Sequence, residues 1–598
     1  MMEIEKNSRV IPGVNEPENQ SSTIDHNVAQ PEQKSNDRGE TSGAVNAQKQ
    51  NGPTQPARWP GFYPPKSTND LPVVIVGQNT RIPELTQWSG QVLLAGHHQK
   101  NLHLGVYHRG DGFARVLQFT NEPKVQMLDR DGLYGILARA ARWTRVHLQE
   151  KQQPDGTMST VSTLETIDAP HKHLGDAMTW PDMPLPRLKG LSKCPMVLPD
   201  GRIVGAQPGY DPQSGYWFTG TELPTLPDVV QARNILADWL IDFPIDTAGK
   251  ANIIGILTAN MLRPLLEAQG LQAFPGLALD ATSPGSGKTL LAIVMGIILT
   301  GRAPSLSPFP DQDDEWRKNI TSWVLDGKSY QLYDNLDPKK SLDSSKLAAL
   351  LTTGHWSDRL LGQNQTLNLE VSAQIVFTGN HMHMSTELSR RVVLIRVTPN
   401  VDRPWTRTPD AFIHPNIIMH SMSHRGEILG ALLSLIQHWF DVGQPRGKEI
   451  MGNYEILTQT VGGVLGAGGI AGWLSNADEA TNALDEERAL WLGILEIWHE
   501  RFKDTSITAG ELFEHFADTD MLTEIPWFTA RDDGGKRRQL GRRIKGQLNA
   551  VIGPWKITEA GRERSGVPRY CLVSMPADTQ SENETNTMQN THEPSEVY

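Results

Sequence analysis

The feature that most constrains this chain is a glycine-rich loop between two apolar segments in the middle of the sequence. The loop reads Thr282-Ser-Pro-Gly-Ser-Gly-Lys-Thr289. The apolar run from Phe274 to Leu279 predicts a buried strand before it, and the run from Leu290 to Leu299 predicts a buried helix after it. A strand, a glycine-rich turn and a helix are the setting of a phosphate-binding loop. The sequence therefore predicts an α/β P-loop core.

Each residue type in this loop has a physical task in holding ATP and Mg²⁺. Gly285 and Gly287 let backbone N–H groups turn toward phosphate oxygens, and the helix N-terminus adds its dipole. Lys288 reaches the β- and γ-phosphates, and the Thr289 hydroxyl binds Mg²⁺. One departure from the motif is Thr282, which stands where a glycine is usual. The predicted nucleotide-binding residues are Pro284, Gly285, Ser286, Gly287, Lys288 and Thr289.

A P-loop ATPase needs a second carboxylate at the end of a neighbouring strand. Residues 329–335 predict a short strand that ends at Asp334, which would hold the Mg²⁺ through water. Asn335 follows, where a glutamate base is common, and an amide can orient a water but cannot accept its proton. Either Asn335 positions the water, or a carboxylate from elsewhere, Asp337 or Glu315, serves as the base.

Two further polar sites occur later in the chain. Residues 373–380 predict another short strand, which ends in the polar residue Asn380. In ATPases with a strand inserted between the P-loop strand and the aspartate strand, such a residue contacts the γ-phosphate. Arg390 and Arg391 precede an apolar strand, 392–397. A paired arginine is often a salt-bridged turn, but in a ring ATPase it can stabilise transition-state charge at the neighbouring subunit's ATP.

Several separate motifs, taken together, resemble a known family. They are similar to the replicative helicase-type ATPases of bacterial phages, plasmids and integrative elements, which are AAA+ proteins related to superfamily 3 helicases. The resemblance covers roughly residues 60–500. In chain order the matching stretches are 184–190, 194–202, 209–216, 242–246, the P-loop, 356–362, 378–380, 390–391 and 461–474.

The resemblance implies a ring, expected to be a hexamer, with ATP bound between subunits. Lys288, Thr289, Asp334 and Asn380 would act within one subunit, and Arg390 or Arg391 would act on the next. The expected function is an ATP-dependent DNA helicase or translocase that serves replication of a mobile element. DNA, single-stranded or forked, and a separate primase or other replication protein are the expected partners. The alternative is an ATP-gated DNA-binding initiator or loader with weak or no hydrolysis, which the residues at 282 and 335 favour.

Superfamily 3 rings also place a hairpin in the pore, and this chain has two candidate loops. Residues 359–371 alternate apolar and polar side chains around a polar turn, which predicts a hairpin with Gln363 and Asn364 at its tip. Lys339 and Lys340 form the second candidate loop. The hairpin tip carries no lysine, so a plain surface hairpin is the competing interpretation.

The C-terminal region, 485–575, predicts a winged-helix domain that binds DNA. A short amphipathic helix begins near Ile507, a basic helix spans about 536–551, and two strands with a basic turn come after it. Residues 536–569 contain ten Lys or Arg and two Glu, so their net charge is 10 − 2 = +8. Such a concentration of positive charge is typical of a phosphate-binding surface. Two alternatives to DNA binding are that these charged side chains are only solvated, or that the domain binds another protein. The predicted DNA contacts are Arg537, Arg538, Arg542, Arg543, Lys545, Arg562 and Arg564.

Composition bounds the remaining parts of the chain. The net charge of −12 over 598 residues excludes a uniformly basic polymer binder. Two cysteines exclude a disulfide scaffold and suit a cytoplasmic protein, and no apolar run is long enough to predict a membrane span. The predicted organisation is a disordered tail (1–58), an N-terminal α+β domain (59–228), the AAA+-like ATPase domain (229–484), the winged-helix domain (485–575) and an acidic disordered tail (576–598).

The N-terminal domain is assigned no chemistry. Its apolar runs predict strands at 72–76, 91–95 and 113–119, and a helix at about 130–146. The histidines at 97, 98, 103 and 108 have no cysteine or regularly spaced carboxylate beside them, so no metal site is predicted there.

Overall fold

A computed structural model of the chain describes residues 60–67, 70–97, 105–118, 123–180, 183–222, 225–359, 366–477, 485–519, 525, 528 and 530–575. All of them belong to one compact unit, 57–598. The tails predicted at 1–58 and 576–598 lie outside these residues, as do the hairpin-tip residues Gln363 and Asn364. Within the described part, no helix is long and apolar enough to cross a bilayer.

The N-terminal part is built from small sheets with three helices. Its main sheet has the order β1-β2-β6-β7, and β3, β4 and β5 form an antiparallel sheet. The elements are β1 (Gly61–Tyr63), β2 (Val73–Val76), α1 (Ile82–Gly96), β3 (Val106–Arg109), β4 (Gly112–Leu117), β5 (Lys124–Leu128), α2 (Arg130–Ala140), β6 (Arg142–Gln152), β7 (Met158–Thr166), α3 (Leu174–Thr179), β8 (Gly190–Ser192), β9 (Met196–Val197), β10 (Ile203–Val204), β11 (Pro208–Asp211) and β12 (Tyr216–Thr219).

Two predictions for this part were wrong. Residues 91–95 lie in α1, not in a strand, because Leu85, Ser89 and Val92 are buried along one helical face. The Glu84 carboxylate also accepts a hydrogen bond from the Arg81 backbone N–H at 3.0 Å, at the start of the helix. The helix predicted at 130–146 ends at Ala140. Residues after it form β6, which pairs in parallel with β2. The predicted strands at 72–76 and 113–119 are confirmed as β2 and β4, within one or two residues.

The central part of the chain alternates helices and strands. Its elements are α4 (Val229–Trp239), α5 (Thr247–Met261), α6 (Arg263–Ala268), β13 (Gly276–Ala281), α7 (Lys288–Thr300), β14 (Leu306–Ser307), α8 (Asp313–Leu325), β15 (Tyr330–Leu336), β16 (Ser341–Leu342), α9 (Ser345–Thr353), β17 (His355–Arg359), β18 (Thr366–Glu370), β19 (Gln374–Asn380), β20 (His383–Met384), α10 (Thr386–Ser389), β21 (Val392–Val397), two 3₁₀ turns (Pro404–Thr406 and Pro409–Ala411), α11 (Ile417–Ser423), α12 (Arg425–Asp441) and α13 (Glu455–Ala467).

Five of these strands form one parallel sheet in the order β14-β15-β19-β13-β21. The strand β19 therefore lies between the P-loop strand β13 and the aspartate strand β15. In a parallel sheet the carboxyl ends of the strands meet at one edge, and ligands bind outside that edge. The four strands predicted for this region are confirmed as β13, β15, β19 and β21 within about two residues.

Small residues allow close packing behind the sheet. A Cβ at Gly255, within the buried helix α5, would lie 2.3 Å from the Trp473 ring. A Cβ at Gly463 in α13 would lie 1.8 Å from the Pro445 carbonyl oxygen. The glycine-rich stretch 461–474 thus packs closely against its neighbours.

A buried arginine joins the N-terminal part to the central part. Arg109 of β3 donates hydrogen bonds to the carbonyl oxygens of Leu325 and Val324, at 2.7 and 2.6 Å. Burial lowers the pKa of Arg109 to about 10. These bonds cap the C-terminal end of α8, where backbone carbonyls need donors.

The C-terminal part has a hydrophobic core of its own, which includes Trp491, Phe513 and Ile557. Its elements are α14 (Glu486–Phe502), α15 (Ala509–Asp518), α16 (Asp533–Gly546), β22 (Val551–Ile552), β23 (Trp555–Arg562) and β24 (Pro568–Ser574). The predicted helix–helix–hairpin sequence of elements is therefore present. The basic helix ends at Gly546 and not at 551, because Asn549 takes a positive φ of 66° and Val551 starts a strand.

Candidate functional site

The predicted phosphate loop lies between β13 and α7, at the carboxyl edge of the parallel sheet. Gly285 and Gly287 have φ values of 68° and 99°, a region that disfavours other residues. Gly287 is the N-cap of α7, so Lys288 is the first helical residue. The loop thus presents the N-terminus of a 13-residue helix, an arrangement that attracts anions.

Lys288 lies in a mostly buried position beside two carboxylates. Only 8% of its surface is exposed. Burial lowers the pKa of Lys288, whereas the charges of Asp334 and Asp280 raise it. Burial also raises the pKa of the Asp280 carboxyl, which accepts a hydrogen bond from the Met382 backbone N–H at 3.0 Å. A buried ammonium group at a helix N-terminus is suited to pairing with a phosphate.

Asp334, at the end of β15, accepts two hydroxyl hydrogen bonds on one oxygen. Thr289 Oγ1 donates to Asp334 Oδ1 at 2.8 Å, and Thr378 Oγ1 donates to the same oxygen at 2.6 Å. The sequence predicts Thr289 and Asp334 as Mg²⁺ ligands, and the fold brings them into direct contact. Carboxylate and hydroxyl oxygens are ligands that suit Mg²⁺, so this donor set fits that ion.

Asn335 and Asn380 lie on either side of Thr378. The Asn335 backbone N–H donates to Thr378 Oγ1 at 3.0 Å, and Asn335 is exposed with a φ of 65°. Asn380 pairs in register with Ala281, at the start of the phosphate loop. Its Oδ1 atom is buried and has no hydrogen-bond partner among the described residues. The same holds for Ser286 Oγ. Other buried polar atoms of the described residues also lack a hydrogen-bond partner, but these two belong to residues predicted to meet the nucleotide, one in the phosphate loop and one at the γ-phosphate.

The two candidate bases make no described contact with the residues around Asp334. Asp337 is exposed and accepts a hydrogen bond from the Lys339 backbone N–H at 3.0 Å. Glu315 is exposed in the first turn of α8. Among the described contacts, neither carboxylate bonds to Asp334 or Thr289.

The arginine pair divides into a buried and an exposed member. Arg391 is buried, donates to Thr352 Oγ1 at 2.8 Å and pairs with the Glu387 carboxylate at 3.2 Å. Arg390 is exposed on the same turn. The contacts of Arg391 are internal to the chain, so of the two predicted trans residues Arg390 is the exposed one.

The predicted pore loops are partly described. β17 and β18 form the predicted antiparallel hairpin, from His355 opposite Glu370 to Arg359 opposite Thr366. Its tip, with Gln363 and Asn364, lies outside the described residues. Lys339 and Lys340 are exposed, and Lys340 Nζ forms an ion pair with Asp311 at 2.5 Å.

The basic C-terminal surface consists of α16 together with the turn between β23 and β24. Leu540 and Ile544 of α16 are buried, and the seven predicted DNA contacts are all exposed. Some are already paired: Arg537 bonds to Glu514, and Arg562 pairs with Glu559 at 3.3 Å. No ion pair within the described part of the chain holds four of the seven, which are Arg538, Arg542, Lys545 and Arg564.

Sequence reasoning missed a tryptophan against the phosphate loop. A Cβ on Gly285 would lie 2.9 Å from Trp405 Cβ and 3.1 Å from the Trp405 backbone nitrogen. Trp405 belongs to the first 3₁₀ turn, and 58% of its surface is exposed. Its only local signal is the preceding proline, which fixes a turn but does not indicate what the turn contacts. Asp280 and Thr378 were also not predicted to face this site.

Comparisons with known proteins give little support for the predicted fold and function. No protein-family model and no curated protein matches the chain. Among solved structures, the chain is similar to one described as "SCCmec type IV Cch - active helicase", with 11% identity and a TM-score of 0.31. The alignment covers 79% of this chain and 97% of that chain. A TM-score of this size is too low to assign a fold or a function.

Proposed function

We propose that this protein is an ATPase of the AAA+ type that works as a ring-forming DNA helicase or translocase. The observation that carries the proposal is the contact of the Thr289 and Thr378 hydroxyls with one oxygen of Asp334, beside the buried Lys288. Two separate strands, β15 and β19, and one helix, α7, bring these groups together. A merely structural turn would not need a buried lysine, a carboxylate and two unpartnered polar atoms at one sheet edge.

The residues of the site have distinct tasks in this proposal. The loop N–H groups and Lys288 bind the phosphates of ATP and stabilise negative charge as the terminal phosphoryl group moves to water. Thr289 and Asp334 would hold Mg²⁺, which neutralises phosphate charge when bound. Asn380, with its free buried oxygen, and the exposed Asn335 orient the attacking water.

The strand order supports the AAA+ assignment. β19 lies between β13 and β15, which is the inserted-strand arrangement that the sequence motifs favour. In this class, ATP lies between subunits, so we propose a ring, with six subunits as the expected number. The exposed Arg390 would then reach the ATP of the neighbouring subunit.

DNA is the proposed polymer on which the ring acts. The basic C-terminal surface presents four exposed arginine or lysine side chains that form no ion pair with the described residues, in a chain whose net charge is −12. Replication of a mobile element, with a primase as partner, follows from the family resemblance of the motifs and is part of the proposal.

One observation favours a second candidate function, an ATP-gated DNA-binding initiator or loader. The exposed residue after Asp334 is an amide, and no carboxylate among the described residues bonds to the Asp334 group as a ready base. Such a site would bind ATP tightly and hydrolyse it slowly.

Unwinding of forked DNA separates the two functions. Full-length protein with ATP and Mg²⁺ should separate the strands, and a non-hydrolysable ATP analogue should not support it. Arg390→Ala subunits and Lys288→Ala subunits should each be inactive alone, and their mixture should regain part of the ATP turnover, because a mixed interface joins the intact Lys288 of one subunit to the intact Arg390 of the next. Arg390→Lys is the matched control for charge. Strand separation that proceeds equally with the analogue would rule out the motor.

A further inference from the structure

Three side chains with metal-ligating atoms lie together near the phosphate loop but outside the proposed ATP site. Asp238 belongs to α4, His414 to the segment before α11, and His420 to α11. One ligand atom of each lies within 4.8 Å of the other two. His414 Nε2 is 3.0 Å from Asp238 Oδ2, and the rings of His414 and His420 stack with centroids 3.8 Å apart.

The donor set is that of a zinc-type ion. Two imidazole nitrogens and a carboxylate oxygen bind Zn²⁺ at about 2.0–2.2 Å, with water in the fourth position of a tetrahedron. Neighbouring ligand atoms in such a tetrahedron lie about 3.3 Å apart. The 3.0 Å separation between Asp238 and His414 is close to this spacing. Mg²⁺ and Ca²⁺ prefer all-oxygen sets, so they do not fit this group.

The chain segment that carries His414 also contacts the phosphate loop. It runs from residue 398, after β21, to residue 416, before α11. Trp405 in this segment lies against Gly285. Near its end, the backbone N–H groups of Ile413 and His414 donate to the Asp242 carboxylate, at 2.9 and 2.7 Å. The segment is also attached at its start, where the Thr398 N–H donates to the Pro244 carbonyl oxygen at 2.9 Å. His414 lies at the attachment to Asp242.

We propose that Asp238, His414 and His420 bind one Zn²⁺ ion, which fixes the segment 398–416 against the phosphate loop. The ion would join three elements at one point: α4, the segment and α11. Each hydrogen bond described above joins only two parts of the chain. Zinc binding itself does not depend on the proposed ATPase function. A protein without ATPase activity could therefore still bind zinc here, and an ATPase could lack the zinc site.

Calorimetric titration with Zn²⁺ tests the site. Tag-free, full-length protein, stripped of metal, should bind one ion with a Kd in the micromolar range or below. The double variant His414→Gln/His420→Gln and the single variant Asp238→Asn should each weaken this binding at least tenfold. The matched control is His424→Gln, because His424 stacks on His420 at 4.3 Å but is not in the ligand group. Unchanged affinity in the double variant would overturn the site.

Two further readouts separate zinc binding from misfolding and from binding elsewhere. Co²⁺ in place of Zn²⁺ should give the visible absorption bands of a tetrahedral site in the wild type and His424→Gln, and should lose them in the double variant. Metal-free thermal unfolding of the double variant should match that of the wild type. Zinc should also slow hydrogen exchange of the amides in 398–416, and equal exchange with and without zinc would contradict the fixing of this segment.

Discussion

The proposed ATP site and the basic C-terminal surface would bind phosphate groups in two different ways. At the ATP site, Lys288 is 8% exposed and the acceptor Asp334 is held by two hydroxyls from different elements. On the basic surface the arginines and lysines project from one helix and one turn into solvent, and only some have partners. The first region fixes a few groups in position, whereas the second accumulates charge of one sign.

The difference predicts different responses to mutation and to salt. Charges in a desolvated, preorganised site interact strongly and are screened little, so single changes there should have large effects. Exposed charges are screened over about 8–10 Å at ordinary ionic strength, so each should contribute a small, salt-dependent share. Substitutions in the two regions can test this contrast, from the largest expected effect to the smallest.

Asp334→Asn should reduce the ATP turnover number by at least about 100-fold, because the change removes a carboxylate that would hold Mg²⁺. Steady-state phosphate release measures it. Asp343→Asn, nine residues along and exposed, is the control and should keep turnover within about twofold of the wild type. Equal effects of the two changes would show that Asp334 has no special role.

Gly285→Ala should weaken ATP binding about tenfold, which is about 1.4 kcal/mol. The new Cβ would meet Trp405 at 2.9 Å, at a φ of 68° that alanine rarely adopts. Gly270→Ala is the matched control, because Gly270 also has a positive φ, of 99°, but nothing lies within 4 Å of an added Cβ. Fluorescent-nucleotide titration should show a loss for the first variant only, and a loss in both would point to general strain.

The triple variant Arg538→Gln/Arg542→Gln/Lys545→Gln should leave DNA-free turnover unchanged and weaken DNA binding. Its slope of log affinity against log salt should be shallower by about 2–3, since each phosphate contact contributes about 0.7–0.9. Fluorescence anisotropy with labelled single-stranded DNA over a range of salt measures the slope. An unchanged slope would assign this surface to solvent or to a protein partner.

Within the same surface, Arg564→Gln should reduce the salt slope more than Arg562→Gln does. Arg562 already pairs with Glu559 at 3.3 Å, so part of its charge is compensated, whereas Arg564 has no ion pair among the described residues. The expected difference is below about one unit of slope. A larger effect of Arg562→Gln would show that DNA breaks its ion pair.

The sequence predicts the sheet strands well because strong local signals agree. The segments 276–281 and 392–397 are short apolar runs bounded by turns, and the glycine-rich loop after the first of them requires a helix beyond it. The sequence predicts that Thr289 and Asp334 hold the same Mg²⁺ ion, since both residues belong to motifs with known tasks. The direct hydrogen bond between them was not predicted. The prediction failed at residues 91–95, where the four apolar residues after Gln91 are compatible with helix and with strand, and burial along the face of the longer helix decided.

Contacts across long sequence distances are what the sequence did not reveal. Trp405 meets Gly285 from 120 residues away, and no periodicity encodes that approach. The division of the arginine pair into a buried Arg391 and an exposed Arg390 depends in part on Thr352, which lies on a different helix, α9. Burial and pairing of this kind follow from tertiary packing, not from local pattern.

The most direct test of the ATPase assignment is ATP turnover by the purified full-length protein, with and without single-stranded DNA, beside Lys288→Ala. The account predicts turnover that rises with DNA and is abolished in the variant, because the buried ammonium group is lost from the phosphate site. ATP binding without turnover in the wild type would favour the initiator or loader. Turnover retained in Lys288→Ala would contradict the site itself.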